Sequence, residues 1–326
     1  MTITQFQYVL AVAKYKNFTT AAENSYVTQP TLSMQIQKLE EELGVTIFDR
    51  SKKPLQITEI GEQIIKQAQT IVNESERMND IVAQQKGYIG GEFRVGIIPT
   101  VSPTLLPMFL NNFINKYPKV CLKIEEQTTE NILKKIGDGT YDAGILATPL
   151  ANPSIIERPL YYEPFVAYIP VNHRLQNSKT IYTGDLDVND ILMLEDGHCF
   201  KDSVLNICNQ DVIESRKHFQ LKSGSFETLV RLANEGLGMT LLPYLHSLEL
   251  KEKEKECIHY FEEPYPAREI SLVYHKNELK MQIIKSLHST ISGVIRGAIA
   301  FQNVKIISPR EKGTRFDSIE KSKRKI

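Results

Sequence analysis

The sequence predicts an N-terminal all-α winged helix-turn-helix, then a long linker helix, then a two-lobed α/β body. Three observations support this prediction. Residues 1–60 contain short amphipathic patterns with strong turn signals, residues 59–86 contain a heptad pattern, and residues 92–300 alternate apolar strand patterns with capped helices. A chain of 326 residues is also long enough for two or three domains.

The first two helices are predicted from periodicity and capping. Phe6, Val9 and Ala13 have the i, i+3, i+7 spacing of an amphipathic helix. Thr20 and Glu23 match a capping box, which predicts a second helix that begins at about this point.

The third helix has clear signals at both ends. Thr28 is a favourable N-cap, Pro30 falls in the first turn, where proline is tolerated, and Gly44 ends the pattern. The short apolar stretches 45–48 and 55–57 then flank 51–54, which predicts a two-stranded wing with a basic tip.

The heptad pattern over residues 59–86 predicts a helix of roughly 40 Å that pairs with another helix. Its seam positions are Ile64, Ala68, Ile71, Ser75, Met78, Val82 and Gln85.

The α/β body is predicted to contain mostly parallel strands. Strands are expected at 93–98, 120–125, 143–147, 165–170, 239–242 and 270–274, with a helix at 226–234. Ser102 and Thr129 are expected to cap two further helices, which end at Lys116 and Gly137.

These elements give the expected domain bounds. The winged helix-turn-helix covers 1–60, the dimerising linker helix 61–88, lobe I 89–165 with 268–300, lobe II with Cys199 and Cys208 166–267, and a basic tail 301–326. The tail is polar from Gln302 onward and is expected to be largely disordered.

Charge alone does not indicate a nucleic-acid partner, because the formal net charge is zero. No signal peptide and no apolar run of membrane-spanning length is found, so a cytoplasmic protein without a membrane partner is expected. In that compartment the four cysteines rest as thiols. None of them has C-x-x-C spacing, and neither a metal nor a cofactor is expected.

The third helix and the wing carry the side chains that suit double-stranded DNA. Gln can bond adenine, Thr or Met can touch a thymine methyl, and basic wing residues suit phosphates. The residues themselves leave DNA binding and an ordinary small helical bundle open. The candidate contacts are Gln29, Pro30, Thr31, Ser33, Met34, Gln35, Lys38, Arg50, Lys52 and Lys53.

A family resemblance favours DNA binding. The stretches 18–23, 27–33, 35–44 and 55–61 resemble the DNA-binding domain of LysR-type transcription regulators over roughly 60 residues. The sequence departs from the family at Gln37, where many relatives have Arg. The absence of that positive charge puts a phosphate contact in doubt. The resemblance implies a homodimer, dimers that pair into tetramers, and RNA polymerase as a further partner.

The second motif is the segment from Leu194 to Asp202, in which Cys199 follows His198, with Cys208 nine residues after Cys199. The residues alone favour two buried structural cysteines. The segment resembles, however, the hydrogen-peroxide sensors of the LysR family. That resemblance implies that peroxide attacks Cys199 and that Cys208 resolves it into a disulfide.

Helix geometry couples formation of this disulfide to a change in the shape of the chain. Nine residues of helix rise roughly 13 Å, whereas a disulfide needs Cα atoms about 4.4–6.8 Å apart. If the segment between Cys199 and Cys208 is helical when reduced, it must refold on oxidation.

The resemblance also implies a peroxide pocket around Cys199. Its expected members are Thr100, Thr129, His198, Asp202 and Arg268. Thr100 and Thr129 would lie near helix N-termini, which favour anionic or polar guests. Simple helix caps, and a surface ion pair for Arg268, are the alternatives.

Three other functions remain open. The first is a LysR-type regulator that binds a metabolite in its inter-lobe cleft, and such a regulator would not need the cysteine pair. A thiol peroxidase is disfavoured by the DNA-binding head. A periplasmic-binding-protein-like body would suit an exported solute-binding protein, which would need a signal peptide.

Overall fold

The computed structural model describes residues 1–85, 89–194, 199–208, 225–301 and 303–309. The N-terminal elements are α1 (Ile3–Tyr15), α2 (Phe18–Asn24), α3 (Gln29–Leu43), β1 (Phe48–Asp49), β2 (Gln56–Ile57) and α4 (Glu59–Gln85). They confirm the predicted helix-turn-helix, its short antiparallel wing and the long helix that follows.

The capping signals in the N-terminal part predict the cap of α3 correctly and the cap of α2 incorrectly. Thr28 caps α3 by accepting from the Thr31 amide, and Gly44 ends the helix in the left-handed region. The predicted cap at Thr20 is wrong. Helix α2 begins at Phe18, and Asn17 accepts hydrogen bonds from two amides of its first turn, because an Asn three residues earlier competes successfully for the same role.

The body begins with a three-stranded parallel unit. Its elements are β3 (Gly91–Ile97), α5 (Ser102–Lys116), β4 (Val120–Glu126), α6 (Thr129–Gly137) and β5 (Ala143–Thr148). Strand β3 pairs in parallel with both β4 and β5. Two caps differ from the prediction by one residue, since Val101 and Thr128 occupy the N-cap positions and Ser102 and Thr129 lie inside their helices.

The rest of the body contains a second set of elements. They are β6 (Ile155–Tyr168), β7 (Ile191–Leu192), α7 (Cys199–Cys208), α8 (Phe226–Asn234), β8 (Met239–Pro243), α9 (Tyr244–Leu248), α10 (Glu252–Lys255), β9 (Ile258–His259), β10 (Tyr265–His275), α11 (Met281–Ile295) and β11 (Val304–Ile306).

Strands β6 and β10 make the sheet mixed rather than mostly parallel. Strand β10 is antiparallel to β5 and β6, and β6 is antiparallel to β8 and β9. The parallel pattern of β3–β5 therefore does not continue beyond β5. The sheet order is β4-β3-β5-β10-β6-β8-β7.

Two separate apolar cores confirm the two-lobed body. One core collects Phe93, Phe109 and Leu287 from lobe I, and the other collects Phe200 and Leu241 from lobe II. Strand β6 passes between them, because its first half lies in the first core and its second half lies in the second core.

Part of the predicted disordered tail is ordered. Val304–Ile306 forms β11 beside β10, and Phe301 packs edge-on against Tyr244 and Tyr265. The remaining tail residues, 302 and 310–326, lie outside the described residues. In the described part of the chain, no helix is both long and apolar enough to cross a membrane.

Candidate functional site

The recognition helix α3 presents a polar outer face. Pro30, Thr31, Met34 and Lys38 are exposed, whereas Leu32, Ile36 and Leu39 are buried on its inner face. Gln29, Ser33 and Gln35 are half-buried. The face is therefore available to a partner along one side of the helix.

Several candidate DNA contacts already have partners within the protein. Arg50 donates to Ser33 at 3.1 Å and to Glu40 at 2.9 Å. The Gln35 side chain accepts from Gln5 at 3.3 Å. Arg50 thus holds the wing against α3, a role that the sequence did not reveal.

Glu40 also orients the wing, because one of its carboxylate oxygens accepts from the amides of Ile47 and Phe48, at 2.7 and 3.2 Å. Lys52 and Lys53 are exposed at the wing tip. They are the candidates best placed to reach phosphates from outside the helix-turn-helix.

Helix α4 is split between two environments. Ala68 and Val72 are buried in the core of the helix-turn-helix, against which α1 packs. Met78 and Val82, which are predicted seam positions further along the helix, are 68% and 53% exposed. The exposed half of the seam is the part that a second helix would cover.

Helix α7 carries the two candidate redox cysteines at its ends, Cys199 as its first residue and Cys208 as its last. The segment between them is therefore helical, which was the condition for a mechanical switch. Asp202 lies in the first turn, where a negative charge is favourable. His198 lies outside the described residues.

The Cys208 thiol is held away from solvent in the core of lobe II. Its residue is 6% exposed and packs in the same cluster as Phe200 and Val204. Burial, with a smaller contribution from the charge of Asp187, raises the pKa of Cys208 to about 11. At neutral pH this thiol is protonated and a poor nucleophile.

Arg268 is the most prominent polar group of the site. It is 1% exposed and is paired with Glu163, which is also 1% exposed. Nε and Nη2 donate to Oε2 of Glu163 at 3.0 and 2.8 Å. The alternative interpretation of Arg268 as part of a surface ion pair is wrong, because this pair lies inside the protein.

The remaining donors of Arg268 hold Thr100. Nη1 donates to the Thr100 hydroxyl and Nη2 donates to its carbonyl, both at 2.9 Å. Thr100 is 5% exposed and follows β3. The pair therefore ties the end of β3 to β10 and β6.

Phe200 connects this cluster to the cysteine helix. The Arg268 guanidinium lies over the Phe200 ring at 5.3 Å, a cation–π arrangement. Phe200 is the residue directly after Cys199, so the first turn of α7 stands next to the Arg268 cluster.

The Thr129 hydroxyl has no hydrogen-bond partner among the residues that the structure describes. Because Thr128 occupies the N-cap and accepts from Asn131, the Thr129 side chain is not needed as a cap. Its Oγ1 is buried and has no hydrogen-bond partner among the described residues. Buried hydroxyls of this kind usually bond a water or a ligand.

Thr100 and Thr129 lie at the same edge of the sheet. Strands β3 and β4 are parallel neighbours, and the Gln127 amide donates to the Ile97 carbonyl where both strands end. Carboxyl ends of parallel strands are the usual location of binding sites in α/β folds. Arg268 thus links Thr100 to Phe200 in the first turn of α7, and Thr129 lies at the adjoining strand end.

Four contributing residues were not predicted. Glu163 and Phe200 support Arg268, and Asn206 of α7 donates to the Ser308 carbonyl at 2.9 Å. His246 packs on Phe226 at 5.1 Å. Burial lowers the pKa of His246 and the Arg268 charge lowers it further, so its imidazole is neutral near pH 7.

The remaining cysteines differ in environment. Cys257 is 5% exposed and Cys121 is on the surface. Burial raises the pKa of Cys257, and the neighbouring Tyr168 hydroxyl partly offsets that effect. Within the described residues, no group of three or more His, Cys, Asp or Glu side chains is arranged to hold a metal ion.

Two family descriptions match this chain. The bacterial regulatory helix-turn-helix of the lysR family matches residues 3–62, and the LysR substrate binding domain matches residues 86–291. The chain therefore belongs to the LysR family of bacterial regulators.

Within that family its relatives include OxyR proteins. A hydrogen peroxide-inducible genes activator of Pectobacterium carotovorum is 34% identical over 91% of this chain and 98% of the relative. The DNA-binding transcriptional dual regulator OxyR of Escherichia coli K12 is also 34% identical, over 84% of this chain and 89% of the relative.

Solved structures agree with this assignment. A full-length OxyR variant from Pseudomonas aeruginosa superposes with a TM-score of 0.72 at 31% identity, covering 89% of this chain and 94% of that one. A peroxide-bound OxyR mutant from Corynebacterium glutamicum gives a TM-score of 0.62 at 27% identity, covering 94% and 98%.

Proposed function

We propose that this protein is a cytoplasmic, DNA-binding transcription regulator that hydrogen peroxide switches through Cys199 and Cys208. One observation carries the proposal: both cysteines are the ends of a single helix, whose first turn contacts the buried Arg268–Thr100 cluster. The names of its relatives, peroxide-inducible gene activators and OxyR, support the same function.

The first chemical step oxidises Cys199. Its thiolate attacks one oxygen of hydrogen peroxide, an S–O bond forms, the O–O bond breaks, and hydroxide leaves and takes a proton to become water. The product is a sulfenic acid. Thr129 is proposed to donate its unpartnered hydroxyl to the peroxide, with His198 and Asp202 completing the pocket.

Arg268 and Thr100 are proposed to act as a fixed positive edge of that pocket. Because Glu163 and Thr100 hold the guanidinium in place, its charge can stabilise the departing hydroxide without rearranging. The cation–π contact with Phe200 keeps the helix that carries Cys199 against this edge.

The second step forms the disulfide. The Cys208 thiolate attacks the sulfenic sulfur, an S–S bond forms, and the hydroxyl leaves as water after protonation. A helix separates its ends by roughly 13 Å over this span, so α7 must unwind and Cys208 must leave the core.

Hydrogen bonds connect α7 to the rest of the body, so unwinding of α7 can affect it. Asn206 of α7 bonds Ser308, and the amide of Ile307, the residue before it, donates to the Ala267 carbonyl at 2.7 Å. Ala267 precedes Arg268 on β10. Loss of α7 therefore releases a segment that is hydrogen-bonded to the strand that carries Arg268.

The readout is proposed to be DNA binding by a dimer, with dimers pairing into tetramers and RNA polymerase as the downstream partner. The exposed seam at Met78 and Val82 supports pairing through α4. Gln29, Thr31, Ser33 and Gln35 are proposed to face base edges, while Lys52 and Lys53 bind phosphates.

A footprint of the reduced and the peroxide-treated protein on its operator tests the proposal. Peroxide should change the footprint of wild type and leave that of Cys199→Ser unchanged. Cys121→Ser, the matched variant at an exposed cysteine, should respond like wild type. A peroxide-induced change in Cys199→Ser would contradict the proposal.

A further inference from the structure

The linker helix α4 meets lobe I at the edge of the sheet where β3 and β5 begin. A pocket of about 380 Å³ lies between them, and Glu92, Arg94 and Asp142 line its lobe I side. The α4 side has four residues, all polar, with the i, i+3, i+4, i+7 spacing of one helical face. They are Thr70, Asn73, Glu74 and Arg77.

Asn73 makes the closer of two contacts between α4 and lobe I. It is 7% exposed, and its Nδ2 donates to the Asp138 carbonyl at 2.6 Å, while its Oδ1 accepts from Gln69 at 2.9 Å. Gly139 permits this approach, because a Cβ built there would lie 3.0 Å from Nδ2 of Asn73. Both polar atoms of the Asn73 side chain are therefore engaged, one of them with the turn that follows α6.

Arg77 makes the second contact, one turn further along α4. Its Nη2 donates to the Asn277 carbonyl, and its Nη1 donates to Glu74, which holds the guanidinium in place. Four residues of helix separate the two contacts by roughly 6 Å along the axis. Two contacts at different heights fix the direction of α4 as well as its position.

Both carbonyls that α4 holds belong to elements that carry the proposed peroxide pocket. Asp138 directly follows α6, and Thr129 is the first residue of that helix. Asn277 follows β10 by two residues, and Arg268 lies near the beginning of that strand. One helix and one strand thus run from the peroxide pocket to the points where α4 is held.

Disulfide closure acts on these elements at their pocket ends. Unwinding of α7 takes Phe200 away from Arg268 and breaks the hydrogen bond from Asn206 to Ser308, next to the strand β11 that pairs with β10. The contact of α4 with lobe I is polar, and polar contacts between domains of one chain permit relative movement. A displacement of α6 or β10 can therefore shift or release α4.

We infer that Asn73 and Arg77 form a latch between α4 and lobe I, through which oxidation at the peroxide pocket reaches the DNA-binding head. The latch is closed while α7 is helical. It then fixes the orientation of the head, because Ala68 and Val72 of the same helix α4 are buried in the core of the head. The inference rests on the proposed function and names the contact that transmits its signal.

Footprints of the reduced and the peroxide-treated full-length protein on its operator test the inference, with peptide mapping of the same samples. The latch variant is Asn73→Ala with Arg77→Ala. It should bind the operator when reduced and form the Cys199–Cys208 disulfide with peroxide, but its footprint should no longer change on oxidation, because coupling between two sites is lost with the contact that carries it. Arg77→Ala alone keeps the Asn73 contact and should show a smaller change than wild type.

Gln67→Ala with Lys276→Ala is the matched control. It also removes one amide and one cation, from exposed positions of α4 and lobe I that do not line the pocket. Its footprint should change on oxidation as that of wild type does.

Small-angle X-ray scattering of the reduced proteins reports the docking of α4 without any oxidation. The latch variant should show a distribution of interatomic distances that extends to longer values than that of wild type, because the head is no longer held against lobe I. The control variant should give the wild-type curve.

Failure of the inference and failure of the proposed function give different results. A latch variant that forms the disulfide and changes its footprint as wild type does, or that scatters as wild type does, overturns the inference alone. Wild type without the disulfide contradicts the proposed function and, with it, the inferred transmission. If the latch variant does not bind the operator when reduced, Arg77→Ala alone decides, and an undiminished footprint change in that variant overturns the inference.

Discussion

The Arg268 guanidinium donates two hydrogen bonds to a single oxygen of Glu163, Oε2, at 3.0 and 2.8 Å. The other oxygen, Oε1, accepts from the Leu245 amide at 3.0 Å. Glu163 therefore pairs with the buried cation and also anchors the start of α9. Because Arg268 also holds Thr100, this one carboxylate supports the wall of the proposed peroxide pocket.

Glu163→Gln is expected to lower the free energy of unfolding by about 3–5 kcal/mol, because it leaves Arg268 buried without its counter-charge. Urea unfolding of the reduced protein, followed by circular dichroism, measures this loss. Glu227→Gln is the control, since its pair with Arg231 is 70% and 74% exposed and should change stability by less than about 0.5 kcal/mol. Equal small effects of both substitutions would show that the buried pair does not stabilise the fold.

Thr129→Val should slow the reaction with peroxide by about tenfold to a hundredfold, because a donor at the reacting oxygens is lost. Its stability should not fall, since the hydroxyl has no hydrogen-bond partner among the described residues. Stopped-flow measurement of Cys199 oxidation gives the rate.

Thr128→Val distinguishes a role of Thr129 in the peroxide pocket from an effect of helix capping. It removes the N-cap of α6 and should cost about 1 kcal/mol of stability while changing the peroxide rate by less than about twofold. If Thr128→Val slows oxidation as much as Thr129→Val does, helix capping accounts for both effects and Thr129 has no role in the pocket.

The pH dependence of disulfide closure reports whether Cys208 reacts from the core. Its pKa is about 11 while buried, so attack from the intact core would accelerate tenfold per pH unit up to that value. If α7 unwinds first, the exposed thiol has a pKa of about 8.5 and the rate should level off near that pH. We expect levelling, measured by rapid quench between pH 6 and pH 10.

Asp187→Asn serves as the control for closure, because the Asp187 charge contributes to the raised pKa only while Cys208 is buried. The profile of this variant should overlay that of wild type. A rate that continues to climb through pH 10, or a profile that moves to lower pH in Asp187→Asn, would show that Cys208 reacts without leaving the core.

Val82→Asp should weaken dimerisation by at least about tenfold, because it places a charge in the exposed half of the α4 seam. Sedimentation equilibrium measures the change. Val171→Asp is the matched control, because Val171 is 73% exposed on the body and lies outside α4. Unchanged association of Val82→Asp would place the dimer contact elsewhere.

The sequence predicted best what depends on neighbouring residues. Thr28, Pro30 and Gly44 mark the ends of α3 correctly, because cap and stop signals act within a few residues. Where two suitable caps are adjacent, as at Thr128 and Thr129, the sequence does not decide between them. That one-residue difference matters, because it frees the Thr129 hydroxyl for another role.

What depends on distant residues was not predictable. Glu163 lies 105 residues from Arg268 and carries no local motif. Strand β11 forms because the polar tail meets β10 in register, which composition does not reveal. The mixed sheet has the same origin, since local strand patterns do not specify the antiparallel pairing of β6 with β10.

The proposed switch depends most directly on a covalent bond between Cys199 and Cys208. Peptide mapping by mass spectrometry, before and after sub-stoichiometric hydrogen peroxide, measures it. We predict a Cys199–Cys208 disulfide in treated wild type, a trapped sulfenic acid at Cys199 in Cys208→Ser, and a normal disulfide in Cys257→Ser. Treated wild type without this disulfide would contradict the account and would favour a LysR-family regulator controlled by a reversibly bound metabolite.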